Sequence, residues 1–483
     1  MQEPEETPQI RIDRRPLWIV VLDRFRRPLS LAGLFAIFLI LLNQEGPTDL
    51  SLQGYKVLCV FFLCVSLWAT NLIPLSITSL LAIALIPLLG IMDASQAYSF
   101  FGNKAVFFIL GIFILSAAMI GSGLSGRLSM WVMKHLGKTP KDLISSIYFF
   151  GALLSCFMSE HAVAAMMFPI LIEIVTALQL KKGESVFAKA LFFAMAWGCI
   201  IGGAMTVLGG GRVPLAVEIL EKVTKGASSI GILEYTYYSF PLVLLLLGTG
   251  WFVLLFMFPS DLVDIQPARK IIMEKSQTLG AITFQEKGIA LVMALTIFTW
   301  FGYGDALGIA NIAIISLVLL FSFNLINWKL VEPHINWAII LMYGGAICLG
   351  EVMATSGAAL WLSKSIFSGT VQSPTLFLVS IAVLSLLFTT FMSNSAVIAI
   401  LLPPAISMCD AYGISPALAT LTVILPSNFA FILPIATPAS ALAYSARYFS
   451  LGEMVRAGTL LSLVGMGWYL FVLYYYWPMI GFK

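Results

Sequence analysis

A chain of 483 residues that is 60% hydrophobic and only 11% charged, with a mean hydropathy of +0.96, lacks the charge to clothe a water-exposed surface, since soluble domains carry about a quarter charged residues. The net charge of +3, spread over short loops, excludes a nucleic-acid partner, and the composition leaves lipid as the surrounding medium. The six cysteines (Cys59, Cys64, Cys156, Cys199, Cys348, Cys409) sit in or beside apolar runs without CxxC or Cys/His spacing. They read as small core residues, neither disulfides nor metal ligands.

In chain order, residues 1–27 are polar and are expected on the cytoplasmic surface, followed by a first transmembrane helix within 28–54. Its apolar run, Leu29–Leu42, follows a basic stretch but lacks a small-residue cleavage site and leads into further spans, so it reads as a retained helix. Runs such as Ile73–Ile91, Val106–Leu124, Pro241–Pro259 and Leu307–Trp328 reach the roughly 17–25 residues needed to cross a bilayer. Apolar runs set against breakers give about eleven crossings, centred near residues 36, 63, 82, 115, 200, 250, 294, 318, 346, 430 and 466, plus two stretches that need not cross. With the N-terminus inside, about 20 of the 27 Lys/Arg fall on the cytoplasmic side. That asymmetry predicts a multi-pass protein of the cytoplasmic membrane with its C-terminus outside. Trp468, Tyr469, Tyr474–Tyr476 and Trp477 crowd the last helix, and the terminal group suits an interfacial aromatic belt. The polar stretch 260–287 is expected as a cytoplasmic linker between two halves, 55–259 and 288–483.

The halves repeat. Shifted by 234 positions, Gly111–Pro169 lies on Gly345–Pro403 without a gap, and about 18 of 59 positions are identical, among them Ser122/Ser356, Gly123/Gly357, Pro140/Pro374, Ser159/Ser393 and Pro169/Pro403. Hydrophobicity alone does not match Gly, Pro and Ser at one fixed offset. An odd number of crossings separates the copies, so they are expected to be inverted, the arrangement that frames a mid-membrane substrate site in many secondary transporters.

The best-matched segment of each copy surrounds a polar cluster: Ser155-Cys156-Phe157-Met158-Ser159-Glu160-His161 in the first, Thr389-Thr390-Phe391-Met392-Ser393-Asn394-Ser395 in the second. Beyond Asn394 the second leg is about 14 residues, roughly 21 Å of helix, short of a ~30 Å hydrocarbon core. Re-entrant hairpins over 142–180 and 375–409 are therefore expected. Each is followed by a helix carrying breakers: Gly202-Gly203, Thr206, Gly209-Gly210-Gly211 and Arg212 in the first half; Pro426, Pro434, Ala436, Thr437 and Pro438 in the second. Unwound backbone in lipid must line a polar cavity, where carbonyls hold a cation and helix N-termini hold an anion.

These segments resemble the divalent-anion:sodium symporter family, carriers of dicarboxylates, citrate or sulfate. The likeness rests on Ile73-Pro74-Leu75-Ser76-Ile77-Thr78, on Ser393-Asn394-Ser395, which is close to the family's paired Ser-Asn-Thr signature, on Leu433-Pro434-Ile435-Ala436-Thr437-Pro438, and on Arg456-Ala457-Gly458. The resemblance implies an all-α fold with a scaffold that forms a homodimer, a mobile domain moving like an elevator, and a sodium ion at each hairpin tip. By position, the second sodium site would use Thr389, Asn394 and the carbonyls of Met392 and Ala436. The small divalent anion would contact Ser159, Ser393, Asn394, Ser395, Thr437 and Pro438.

The first half departs from that pattern. Ser159-Glu160-His161 stands for Ser-Asn-Thr, and Gly209-Gly210-Gly211-Arg212-Val213 for Gly-Thr-Pro-Pro-Asn. Ser155, Ser159 and the Gly209 carbonyl stay available to a cation, while Glu160, His161, Gly210 and Arg212 join the candidate anion site. Ionisable residues at membrane depth mark a pathway, relay or counter-charge. Arg212 is expected to pair with Glu160 and partly replace the first sodium, or the pair merely locks the hairpin. The expected function is sodium-coupled transport of C4-dicarboxylates or citrate, the alternatives being a sodium-independent anion exchanger, a proton-coupled carrier or a sulfate transporter of the same fold. Without His-Glu-x-x-His or GxxxxGK[ST], neither an intramembrane zinc protease nor an ATP-driven pump is expected.

Overall fold

The computed structural model describes residues 17–262, 264–367 and 373–482, apart from the side chains of 17–24, 305 and 367. The described residues form helices and turns with no strand. The principal helices are α1 (Leu17–Leu42), α2 (Leu52–Thr70), α3 (Leu75–Leu88), α4 (Lys104–Gly121), α5 (Leu124–Leu136), α6 (Pro140–Ser155), α7 (Glu160–Ala177), α8 (Val186–Gly202), α9 (Arg212–Val223) and α10 (Ile232–Met257). After them come α11 (Gln266–Thr278), α12 (Phe284–Leu307), α13 (Ile309–Ser322), α14 (Trp337–Thr355), α15 (Pro374–Phe391), α16 (Asn394–Ser407), α17 (Pro416–Ser427), α18 (Pro438–Ser445) and α19 (Leu451–Phe471). The first helix begins at Leu17, well before the expected start at residue 28, and carries Pro28 in its interior. Residues 1–16 of the expected tail lie outside the described residues.

Nine helices are long and apolar enough to cross a membrane among the described residues. Two are hairpin legs, α7 and α15; the other seven match the expected crossings near 36, 63, 115, 250, 294, 346 and 466. Those expected near 82, 200, 318 and 430 appear as shorter apolar helices, α3, α8, α13 and α17. Breakers explain two of the four. α8 stops at Gly202 and the chain regains helix only at Arg212; α17 stops at Ser427 and resumes at Pro438. The expected re-entrant elements appear as helical hairpins, α6–α7 and α15–α16, each turning at its serine-centred segment.

Local chemistry sets these boundaries. Thr139 and Asp142 form a reciprocal capping box at the start of α6 with Pro140 at its first position. Ser393 caps α16 by accepting the Ala396 N–H at 3.3 Å, and Thr437 caps α18 by accepting that of Ser440 at 3.3 Å. Close packing depends on glycine. A Cβ at Gly198 or Gly202 of α8 would overlap the backbone of Tyr148 or Ala152 in α6, and one at Gly345 of α14 would overlap that of Ser79 in α3. Small residues thus let helix backbones touch, as membrane interfaces require.

The unwound stretches keep their peptide groups satisfied with hydroxyls. Tyr235 donates to the Ala204 carbonyl at 2.9 Å and Ser239 to Met205 at 2.9 Å, while Thr206 accepts the Leu208 N–H at 3.1 Å and donates to the Cys156 carbonyl of the hairpin tip at 2.5 Å. In the second half, Ser462 donates to Phe429 at 3.1 Å and Ser440 to Ala430 at 3.4 Å. Broken helices survive in lipid only with such partners.

The 260–287 stretch is more than a polar connection. It contains α11, which packs on α5 and α7. Lys275 of α11 pairs with Glu173 of α7 at 2.5 Å. Arg127 of α5 donates to the Leu279 and Gly280 carbonyls and reaches Glu286, each at 2.8 Å. Charge and amphipathicity therefore fasten this segment to the first hairpin.

Candidate functional site

One cavity of about 190 Å³ lies where the two hairpin tips meet. Its walls are Glu160 and His161 from the first tip; Ser393, Asn394 and Ser395 from the second; Gly211 and Arg212; Ala436, Thr437 and Pro438; Leu75; and Asn336, Ala338, Ile339 and Met342. Apart from Ala436 and Met342, every one of these residues lies at the cap or in the first turn of a helix. Six helices, α3, α7, α9, α14, α16 and α18, thus begin at the same small space. Each N-terminus presents unpaired N–H groups and roughly half a positive charge. Their convergence makes the cavity attractive to an anion, and the fixed cation Arg212 adds to it.

The first tip carries an ion pair. Arg212 Nη1 lies 2.9 Å from Glu160 Oε2, the two side chains being 4% and 0% exposed. The Glu160 N–H donates to the Gly209 carbonyl at 3.0 Å, which commits one lone pair of that oxygen. Gly209 is itself wedged against Gly203 and the Ser155 carbonyl, where a Cβ would not fit, so this glycine is a close-packing device as well as a carbonyl source. Gly210 is close to the guanidinium: a Cβ there would come 3.0 Å from Arg212 Nη1. His161 Nδ1 stands 3.5 Å from Glu160 Oε1. Several buried polar atoms around this tip have no hydrogen-bond partner: Ser155 Oγ, Glu160 Oε1, His161 Nδ1, and Nε and Nη2 of Arg212, while Glu160 Oε2 has only its ion pair with Arg212. Native interiors rarely leave such atoms alone, so this cluster can take hydrogen bonds from water or a ligand.

At the second tip, Thr389 Oγ1 lies 2.7 Å from Asn394 Oδ1 and 2.8 Å from the Ser427 carbonyl. One hydroxyl proton cannot serve two acceptors at once. The result is a buried, oxygen-rich nook behind the tip, suited to a hard cation. Met392 ends α15 beside it. Asn394 Nδ2, Ser385 Oγ and both polar atoms of Asn428 are also buried without partners. Among the described residues no group of three or more His, Cys, Asp or Glu is placed to hold a metal ion.

Ser159 opens onto a second cavity of about 490 Å³, which shares His161 and Asn336 with the first and is walled by Phe113, Ser116, Ala162, Met166 and His334. The two cavities are therefore neighbours across His161 and Asn336.

Of the residues expected from sequence, Glu160, His161, Arg212, Ser393, Asn394, Ser395, Ala436, Thr437 and Pro438 line the central cavity. Ser155, Ser159, Gly209, Gly210, Thr389 and Met392 stand outside its lining, Ser159 facing the second cavity instead. Asn336 and Leu75 were not anticipated. Asn336 caps α14, accepting the Ile339 N–H at 3.3 Å; an Asn ahead of the apolar run from Trp337 was the available signal.

Residues 26–482 match the family described as sodium:sulfate symporter transmembrane region. The chain is 26% identical over 504 aligned positions to the sodium-dependent dicarboxylate transporter SdcS of Staphylococcus aureus, covering 98% of this chain and 96% of that protein. Among solved structures it is similar to the YdaH transporter of Alcanivorax borkumensis, with a TM-score of 0.51 and 14% identity over 80% of this chain and 90% of that one. Neisseria gonorrhoeae MtrF gives a TM-score of 0.55 with 12% identity over 78% and 82%. At those identities the likeness is one of fold.

Proposed function

The chain belongs to the sodium:sulfate symporter family, and from that membership we propose that this multi-pass transporter carries small organic dianions, four-carbon dicarboxylates above all, with sodium bound at the second hairpin tip. That it is a membrane transporter of anions and not an enzyme follows from the family itself. The finer reading is supported chiefly by the six helix starts gathered round one small cavity. They offer N–H groups and positive potential to two carboxylates, while Leu75, Ile339 and Met342 supply an apolar wall for the methylenes between them. Sulfate would leave that wall unused.

Thr389, Asn394 and the carbonyls of Met392 and Ala436 are the proposed sodium ligands, and the oxygen-rich nook at Thr389 supports them. At the first tip the Arg212 guanidinium is a built-in cation, paired with Glu160 of the hairpin tip. This pair favours fewer coupled sodium ions than two fully oxygen-lined tips would take. It also keeps a second reading in play, exchange or proton-coupled transport with little sodium dependence.

In this proposal the halves 55–259 and 288–483 are inverted repeats within a homodimer, and the domain carrying both tips moves against the rest. The cytoplasmic membrane, with the N-terminus inside, is proposed from the Lys/Arg asymmetry. The test is uptake of labelled succinate, citrate and sulfate into proteoliposomes under sodium gradients, pH gradients and internal counter-substrate. Sodium-driven succinate uptake is expected. Uptake that appears only with counter-substrate, or only under a pH gradient, would replace symport by the second reading; sulfate as sole substrate would overturn the dicarboxylate assignment.

A further inference from the structure

We propose that the first hairpin tip selects a dicarboxylate bearing a hydroxyl on the carbon next to one carboxylate, with Glu160 and His161 as the residues that read the hydroxyl. The inference rests on the dicarboxylate-carrier reading above and names the substrate more closely.

An inventory of hydrogen-bonding groups carries it. The Arg212 guanidinium has two N–H groups, Nε and Nη2, without partners, and it lines the central cavity. Nε and one Nη form the fork that takes a carboxylate side-on. A plain dicarboxylate satisfies that fork, and its other end meets the N–H and hydroxyl donors of Ser393, Ser395 and Thr437. It supplies acceptors only.

Glu160 asks for the opposite. It lines the same cavity, it is 0% exposed, Oε2 is held only by its ion pair with Arg212, and Oε1 has no hydrogen-bond partner. Oε2 faces Arg212, while Oε1 lies 3.5 Å from His161 Nδ1, too far for a direct hydrogen bond between well-placed atoms. A carboxylate needs donors, and an anionic substrate pressed against it with no donor of its own would be repelled. With Arg212 compensating Oε2, it is Oε1 that a substrate donor would serve.

A hydroxyl meets the need on both sides, because it donates one hydrogen bond and accepts others. Placed between Glu160 Oε1 and His161 Nδ1, it donates to the carboxylate and accepts from the imidazole N–H. An α-hydroxy acid holds its hydroxyl beside its own carboxylate. With that carboxylate on the Arg212 fork, the hydroxyl lies next to the Arg212–Glu160 pair. An α-ammonium group would also donate to Glu160, but it has no lone pair to accept from His161. Because Arg212, Glu160 and His161 are fixed on two helix starts, α9 and α7, the arrangement is chiral and should favour one enantiomer.

The test compares kcat/KM for succinate, each enantiomer of malate, and aspartate in proteoliposomes holding the full-length protein. One malate enantiomer is expected to exceed succinate by about tenfold or more, the discrimination available when a site holds buried groups for a substrate hydroxyl. His161→Ala, at a side chain that is 26% exposed and so less needed for folding, should narrow that ratio to within about threefold. Succinate carried as well as both malate enantiomers would overturn the inference and leave the carrier reading standing. Aspartate preferred over malate would overturn the hydroxyl assignment, and an unchanged ratio in His161→Ala would overturn the part given to His161. Failure to carry any of the four would instead overturn the reading beneath it.

Discussion

Uptake by an Arg212→Gln variant is expected to fall about a hundredfold or more, with a clear loss of thermal stability. Arg212 is 4% exposed and its partner Glu160 is 0% exposed. Removing one member of a buried pair strands the other, at a cost of about 3–5 kcal/mol. The same change deletes the fork of N–H groups proposed to hold a carboxylate and leaves a lone anion facing the substrate. Arg212→Lys keeps the charge but loses the planar fork, so it should fall between wild type and Arg212→Gln. The double variant Arg212→Gln/Glu160→Gln separates structure from function. Neutralising both partners removes the stranded charge, so stability in detergent should recover while uptake does not. Wild-type uptake by the double variant would reduce the pair to a structural clasp.

Asn394→Ala should remove most of the sodium stimulation of uptake and raise the half-saturating sodium concentration by about tenfold or more. Asn394 is 5% exposed, lines the central cavity and lies 2.7 Å from Thr389 through its Oδ1. The loss of one neutral hydrogen bond costs only about 1 kcal/mol in stability, so the variant should remain folded and the defect should appear in coupling. Initial rates measured against a sodium series check this. Unchanged sodium dependence together with weaker substrate binding would move the cation elsewhere and leave Asn394 as an anion ligand alone.

The sequence carried a large part of the architecture because lipid leaves so few solutions. Apolar runs located seven of the nine long spans directly, and the offset of 234 between Gly111–Pro169 and Gly345–Pro403 pointed to two matching hairpins. Breakers marked both interrupted helices, since Gly202-Gly203 and Pro434 through Pro438 have no other easy home in an apolar span. The Glu160–Arg212 contact was also legible, because two opposite charges at membrane depth have few other partners.

What remained hidden depends on where helices start in space. Asn336 and Leu75 become wall residues only because α14 and α3 begin beside the hairpin tips, a relation that no local pattern encodes. The polarity of residues 260–287 concealed α11, whose apolar face is covered by α5 and α7. The Gly209-Gly210-Gly211 run suggested free carbonyls, yet Gly209 also serves to let Gly203 and Ser155 come close. Short helices such as α3 and α13 looked like full spans because composition reports apolarity and not length of regular helix.

The most direct measurement is the position of a bound four-carbon dicarboxylate in an experimental structure of the full chain. One carboxylate should rest on the Arg212 fork and the other among the Ser393, Ser395 and Thr437 donors, with the methylene carbons against Ile339 and Met342. An anion held only in the second cavity near His334, with the space between the tips empty, would contradict the account.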